Sequence, residues 1–321
     1  MCLECMKGMN IRMINKEVSL LGKEHKAIMK TYILDGKIST GIYKKRPAVI
    51  ICPGGSYLFT STREGEPVAT RFLSLGYHAF VLRYTTYFKE KITEVDRIPE
   101  KNRVSYPDPL LELMTAILYI REHADEWYVD ADNIFILGFS AGAHLAGTLA
   151  ERWNDEELYQ ILKQQIGFNA NGLNRKEWMK PRGVLLSYPL LNVETLIENM
   201  AKSNEPLMRV QEKYIKNAFI GEQKQQLPEQ LNLIEHVNRD MPPVFLWHTC
   251  DDRVTSGKES AEFIYQLMNE EVPCEFHLYA KGEHGMALGD EYSASSEKNI
   301  DQECATWVNL ANNWMRLIMR S

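Results

Sequence analysis

The sequence predicts an α/β protein, a mostly parallel sheet covered by helices on both faces, and three observations carry that reading. Short apolar runs rich in branched side chains alternate with longer runs of helical spacing, the rhythm of strand–crossover–strand units. Those short runs are continuous in their apolar character, as strands buried on both faces require. One of them, Ile134 to Leu137, leads directly into Gly138-Phe139-Ser140-Ala141-Gly142 and then into an alanine-rich run of helical character. Strand, sharp turn with serine at its apex, then helix is the context in which G-x-S-x-G marks a nucleophile elbow.

Composition sets the outer bounds. A chain of 321 residues can bury about three quarters of its unfolded surface, enough for a single α/β core. With 37 basic and 43 acidic residues the formal charge is -6, and no basic cluster could follow a phosphate backbone, so nucleic acid is not an expected partner. No apolar stretch approaches the about 18 residues of a membrane span. Met1 to Asn10 lacks the apolar block of a secretory signal, and the expected location is cytoplasmic. Six scattered cysteines fit reduced thiols better than a disulfide framework. Cys2 and Cys5 have C-x-x-C spacing, but no second pair accompanies them, and no metal site is expected.

In chain order, Val18 to Leu21 and Ala27 to Leu34 read as an edge hairpin around Gly22-Lys23-Glu24, closed by Asp35-Gly36. Ala48 to Cys52 is a buried strand that ends in Pro53-Gly54-Gly55-Ser56-Tyr57. Paired glycines there let backbone approach a ligand and aim two N–H groups at an anion. Glu66 to Leu75 has helical spacing and stops at Gly76; Tyr77 to Leu82 is the next strand. Residues Thr85 to Tyr106 are charged and aperiodic, which predicts a surface excursion. Pro107-Asp108-Pro109 opens a helix with Leu110, Leu113, Met114, Ile117 and Leu118 on its buried face, and Asp130 to Asn133 form the turn before the elbow strand.

Val184 to Ser187, Val244 to His248 and Phe276 to Tyr279 supply three more strands, with helices over Ser260 to Met268 and Ala305 to Met319. Between the first two of these strands, residues 190–240 are helical in pattern and rich in polar amides, which predicts a lid segment inserted into one domain spanning 1–321.

A serine hydroxyl is a poor nucleophile at neutral pH and needs a histidine to take its proton and a carboxylate to orient that histidine. Two loops after later strands offer these groups: Thr249-Cys250-Asp251-Asp252-Arg253-Val254 and Lys281-Gly282-Glu283-His284-Gly285. Of eight histidines, only His284 lies between glycines on a loop after the last strand; His144, one helical turn behind Ser140, reads as core packing. Asp251 and Asp252 are adjacent and cannot both face His284, and the residues alone leave that choice open.

With these pieces placed, the chain resembles the α/β-hydrolase fold esterases, in particular the acetyl-xylan esterase-like, lipase-esterase group related to the hormone-sensitive-lipase group. The resemblance rests on Cys52 to Tyr57, Arg63-Glu64-Gly65-Glu66-Pro67, Leu82-Arg83-Tyr84, Gly138 to Ala146, Trp247 to Asp252 and Gly282 to Gly285. In such esterases the acid commonly follows a strand-ending histidine by four residues, which from His248 points to Asp252, with Asp251 as the alternative. The valine often found three residues beyond the acid lies instead three beyond Asp251. The family's His-Gly-Gly appears as Pro53-Gly54-Gly55, and the resemblance implies an oxyanion hole from Gly54 or Gly55 together with Ala141.

The resemblance therefore implies a serine carboxylesterase that hydrolyses short, acetyl-type esters, of sugars or xylan oligosaccharides, through an acyl-enzyme. Ser140 is the expected nucleophile, His284 the base and Asp252 the orienting acid. Tyr57, Arg63 and Glu64 are candidates for lining the substrate pocket. No metal or organic cofactor is needed, the expected partner is a small-molecule ester, and a homo-oligomer is compatible with the sequence. Two other readings use the same residues: a prolyl-peptidase-like hydrolase, and a non-catalytic binding module, since fold alone does not dictate function.

Overall fold

In the computed structural model, residues 13–21, 27–35, 44–102, 104–165, 176–220 and 231–320 are described. Eight strands form one sheet in the order β1-β2-β4-β3-β5-β6-β7-β8. They are β1 (Ile14–Ser19), β2 (Ile28–Ile33), β3 (Arg46–Cys52), β4 (His78–Arg83), β5 (Val129–Phe139), β6 (Gly183–Ser187), β7 (Val244–Thr249) and β8 (Cys274–Tyr279). The first two make an antiparallel hairpin whose second strand runs antiparallel to β4, and every pair from β4 to β8 is parallel. All strands from β3 onward therefore deliver their carboxyl ends to one edge, where sites in open α/β sheets are built.

The parallel strands are buried because helices cover both faces. Alternate residues of β3 point into two separate cores: Ala48, Ile50 and Cys52 into one, Val49 and Ile51 into the other. The first core is closed by α2 (Asp108–Glu122), α3 (Ala141–Arg152) and α7 (Gly257–Asn269), through Leu113, Ile117, Leu145, Phe263 and Leu267. The second is closed by α1 (Glu66–Ser74) and α9 (Trp307–Ile318), through Val68, Phe72, Trp307 and Trp314. Trp247 of β7 stacks on Trp307 at 5.5 Å between ring centroids and donates its indole N–H to Ser187 Oγ at 2.8 Å. That bond lets a large polar ring occupy the centre of the sheet without an orphaned donor.

Two departures from the sequence reading have physical reasons. Asp130 to Asn133 belong to β5, which begins at Val129 beside Arg46; a register irregularity between Arg46 and Ala48 accommodates the polar residues. The excursion after β4 is superficial only in part: Tyr87 and Phe88 are buried and pair their backbone N–H groups with the carbonyls of Tyr57 and Leu58. Aperiodic aromatic residues give no strand or helix signal yet still bury large apolar area. The segment between Glu151 and Arg182 contributes another helix, α4 (Glu156–Gln165). Cys2, Cys5, Gly22 to Glu24 and Gly36 lie outside the described residues.

Between β6 and β7 stand α5 (Val193–Ala201) and α6 (Pro206–Ile220). Asn192 caps the first by accepting from the Glu194 and Thr195 N–H groups. Phe219 of α6 lies on Tyr57, with centroids 4.6 Å apart, and Tyr214 lies on Phe88 at 5.1 Å. The inserted helices thus rest on the loops that follow β3 and β4. The remaining short helix is α8 (Gln302–Ala305), just before α9. Among the described residues no helix is long and apolar enough to cross a membrane.

Candidate active site

The elbow is built by steric exclusion. A Cβ on Gly138 would stand 2.2 Å from Gly142 O, and one on Gly142 only 1.9 Å from Cys52 O, so neither position admits a side chain while strand, turn and helix pass this closely. Ser140 is held at φ 51°, ψ -115°, a strained conformation for a residue with a Cβ. Its N–H is tied to Ser187 O at 3.0 Å and its carbonyl accepts from His144 N, which anchors the turn to β6 and to α3. The hydroxyl is left standing at the carboxyl edge of the sheet.

His284, on the loop after β8, meets it there. Ser140 Oγ lies 2.9 Å from His284 Nε2, and His284 Nδ1 lies 2.7 Å from Asp252 Oδ2. A carboxylate only accepts, so Nδ1 carries the proton and Nε2 presents a lone pair to the serine hydroxyl. Asp252 is buried on the loop after β7, whereas Asp251 is exposed. Burial alone would raise the Asp252 pKa, but the His284 charge and hydrogen bonds from His248 and His284 outweigh it and hold the carboxyl well below its usual range. For His284 burial acts downward, and the Asp252 carboxylate beside it, with Glu64 further off, raises the pKa above 6.5.

Residues that the sequence left unassigned complete the acid's surroundings. Asp252 Oδ1 accepts from the N–H groups of Val254 at 2.8 Å and Thr255 at 3.0 Å, and Oδ2 accepts from Thr255 Oγ1 at 3.0 Å. His248 Nε2 lies 3.2 Å from the same oxygen, and Ser260 Oγ lies 2.8 Å from His248 Nδ1. The only sequence hint of this is the spacing of His248 and Asp252.

The other candidate residues are placed as follows. The Gly54 N–H donates to Glu64 Oε2 at 2.8 Å, so it is engaged by a side chain behind the loop. Gly55 at φ 131° and Ala141 at the start of α3 have N–H groups with no acceptor among the described residues. A Cβ on Gly54 would stand 3.0 Å from Ser140 Cβ, which brings this loop against Ser140. Glu64, expected at the pocket wall, is 5% exposed and accepts from Tyr188 Oη through its other oxygen at 2.7 Å.

Arg63 spends its guanidinium on Ser293 O at 2.6 Å and Gly285 O at 2.9 Å, clasping the loop that carries His284. Tyr57, also expected at the pocket wall, is buried with its hydroxyl 3.0 Å from His144 Nδ1. His144 Nε2 lies 3.0 Å from Leu231 O, so it donates there and accepts from Tyr57. Burial lowers the His144 pKa to about 4, leaving a neutral, structural ring. Tyr57 and Glu64 thus turn their polar groups to partners within the protein, and Arg63 does so with Nε and Nη2. No cluster of metal-ligating side chains is present among the described residues.

Sheet order, elbow and converging loops define an esterase-like α/β hydrolase. The chain belongs to the BD-FAE family, whose model matches residues 34–267. It is 27% identical over 247 residues to the endo-1,4-beta-xylanase B of Butyrivibrio fibrisolvens, covering 77% of this chain and 33% of that protein. It is 21% identical over 270 residues to the acetylxylan esterase of Xylanibacter ruminicola, covering 81% of this chain and 45% of that one. The chain thus spans a third to about half the length of these curated relatives. Among solved structures, the carboxylesterase Cest-2923 from Lactobacillus plantarum superposes with a TM-score of 0.74 at 22% identity, covering 95% of this chain and 97% of that one, a likeness of fold.

Proposed function

We propose that the protein is a serine carboxylesterase that removes short, acetyl-type acyl groups from the hydroxyls of sugars or xylan oligosaccharides through an acyl-enzyme, with Ser140, His284 and Asp252 as its catalytic triad. The observation that carries this reading is the continuous hydrogen-bonded relay from Ser140 Oγ through both nitrogens of His284 to Asp252.

As the Ser140 oxygen attacks the acyl carbon, its proton passes to His284 Nε2, and Asp252 stabilises the imidazolium that results. The carbonyl oxygen, now negative, is received by the N–H groups of Gly55 and Ala141, assisted by the positive end of α3. The Gly54 N–H is assigned no part in this hole, because Glu64 already accepts from it. His284 then gives its proton to the departing alcohol, and a water activated by the same nitrogen releases the acid. The site draws on no metal or organic cofactor. The described residues between 190 and 240 act as the lid over this edge, a reading supported by the packing of Phe219 and Tyr214 on the loops after β3 and β4.

The acetyl and sugar assignment rests on the relatives named for xylan and acetylxylan. It is tested by comparing p-nitrophenyl acetate with longer acyl esters and with acetylated xylo-oligosaccharides. A preference for acetyl esters and release of acetate from the oligosaccharides is expected; turnover of long acyl chains alone would refute the substrate class.

A further inference from the structure

Glu64 is a buried carboxylate with hydrogen-bond partners on two separate segments, and the relay of the triad does not use it. Its Oε2 accepts from the Gly54 N–H at 2.8 Å and its Oε1 from Tyr188 Oη at 2.7 Å. Tyr188 follows β6 with φ 36°, and its hydroxyl oxygen accepts in turn from the Ala287 N–H at 3.0 Å, three residues beyond His284. The Tyr188 ring stands edge-on to the His284 ring with centroids 5.2 Å apart, and its carbonyl oxygen lies 3.3 Å from Thr255 Oγ1. One carboxylate therefore ties the glycine loop after β3 to the loop of the base, through a tyrosine that also touches the loop of the acid. Next to it in sequence, Arg63 clamps that base loop again at Gly285 O and Ser293 O.

From this geometry we infer that Glu64 is a positioning residue. By holding the Gly54 N–H it turns the following peptide so that the Gly55 N–H faces the developing oxyanion, and through Tyr188 it fixes where His284 stands relative to that hole. The inference rests on the esterase reading above. A hydrogen-bonded network of this kind acts as one unit, so removing its central acceptor displaces both ends together.

The same carboxylate acts on His284 through its charge. The groups facing that imidazole are Asp252 and Thr255 from the loop after β7, Ser140 from the elbow, Tyr188 from the loop after β6, and Glu64 behind it. Arg63 lies alongside on the Gly285 carbonyl, and the neighbouring Glu283 is turned outward to Lys298. After the carboxylate of Asp252, Glu64 also favours the protonated imidazole.

The test is Glu64→Gln, which keeps the side chain's size and an acceptor for Gly54 while removing the charge, beside Glu64→Ala and wild type. The wild-type enzyme is first shown to lose p-nitrophenyl acetate hydrolysis on Ser140→Ala, so that a failure of the esterase reading is seen separately. Active serines are titrated with an organophosphonate ester, so that kcat is expressed per folded site. A displacement of the oxyanion donor costs kcat about tenfold to a hundredfold in Glu64→Ala, with KM little changed, and less in Glu64→Gln. In Glu64→Gln the acidic limb of the kcat/KM profile moves to lower pH. An unmoved limb, or a Glu64→Ala kcat within threefold of wild type, overturns the inference.

Discussion

The elbow and the helices inserted between β6 and β7 are held by different forces. At the elbow, backbone meets backbone: Gly138 and Gly142 leave no room for a methyl group, and Ser140 is forced to a positive φ. In the insertion, α5 and α6 are placed by side-chain packing and scattered hydrogen bonds, with Phe219 on Tyr57, the Phe219 carbonyl accepting from the Tyr106 N–H at 2.7 Å, and Asn199 donating to Val254 O at 3.2 Å. Steric exclusion permits one arrangement, whereas packing tolerates repacking at modest cost. In the proposed enzyme, the first kind of structure fixes the nucleophile and the second leaves room for substrate choice to vary.

The largest break in this comparison is at the nucleophile itself: Ser140→Ala should lower kcat on p-nitrophenyl acetate about a millionfold. Next comes the acid. Asp252→Asn should cost about ten-thousandfold, because the amide cannot orient and stabilise the His284 imidazolium. At exposed Asp251 the same change should stay within about twofold to threefold in steady-state kinetics. Gly142→Ala probes the backbone directly: a methyl 1.9 Å from Cys52 O should cost about 3 kcal/mol or more in denaturant unfolding. In the insertion, Phe219→Ala should shift KM and acyl-chain preference by no more than about tenfold while leaving kcat for acetyl esters near wild type.

The pH profile separates the two histidines nearest Ser140. In the proposed mechanism His284 must be unprotonated to accept the serine proton, and the Asp252 carboxylate raises its pKa from the ordinary imidazole value, so kcat/KM should fall with decreasing pH, with a midpoint higher than that of a free imidazole. Removing the Asp252 charge should move the limb of the residual activity downward. His144, with its pKa near 4, should contribute no limb above pH 5.

The legible parts of the molecule were those where local chemistry dictates local geometry. Continuous apolar runs announced β3 to β8, and glycines around Ser140 and His284 marked the two turns that the structure brings within hydrogen-bond distance. Asp252 was harder, because adjacent aspartates are equivalent as letters and differ only in burial. The roles of Glu64, Arg63 and Tyr188 were not readable, since each depends on a partner more than a hundred residues away or on a backbone carbonyl, which any residue supplies. Tyr87 and Phe88 depart from the surface pattern of their segment for a related reason: burial beneath α6 leaves no periodic trace in the stretch that carries them.

The central claim is that His284 and Asp252 activate Ser140. An organophosphonate ester reacts irreversibly with an activated serine, and intact-protein and peptide mass spectrometry locates the adduct. One adduct per chain is expected, on Ser140, with esterase activity lost in proportion to labelling and labelling abolished in Ser140→Ala. Full labelling at another residue, or an unlabelled Ser140 in an enzyme that turns over esters, would contradict it.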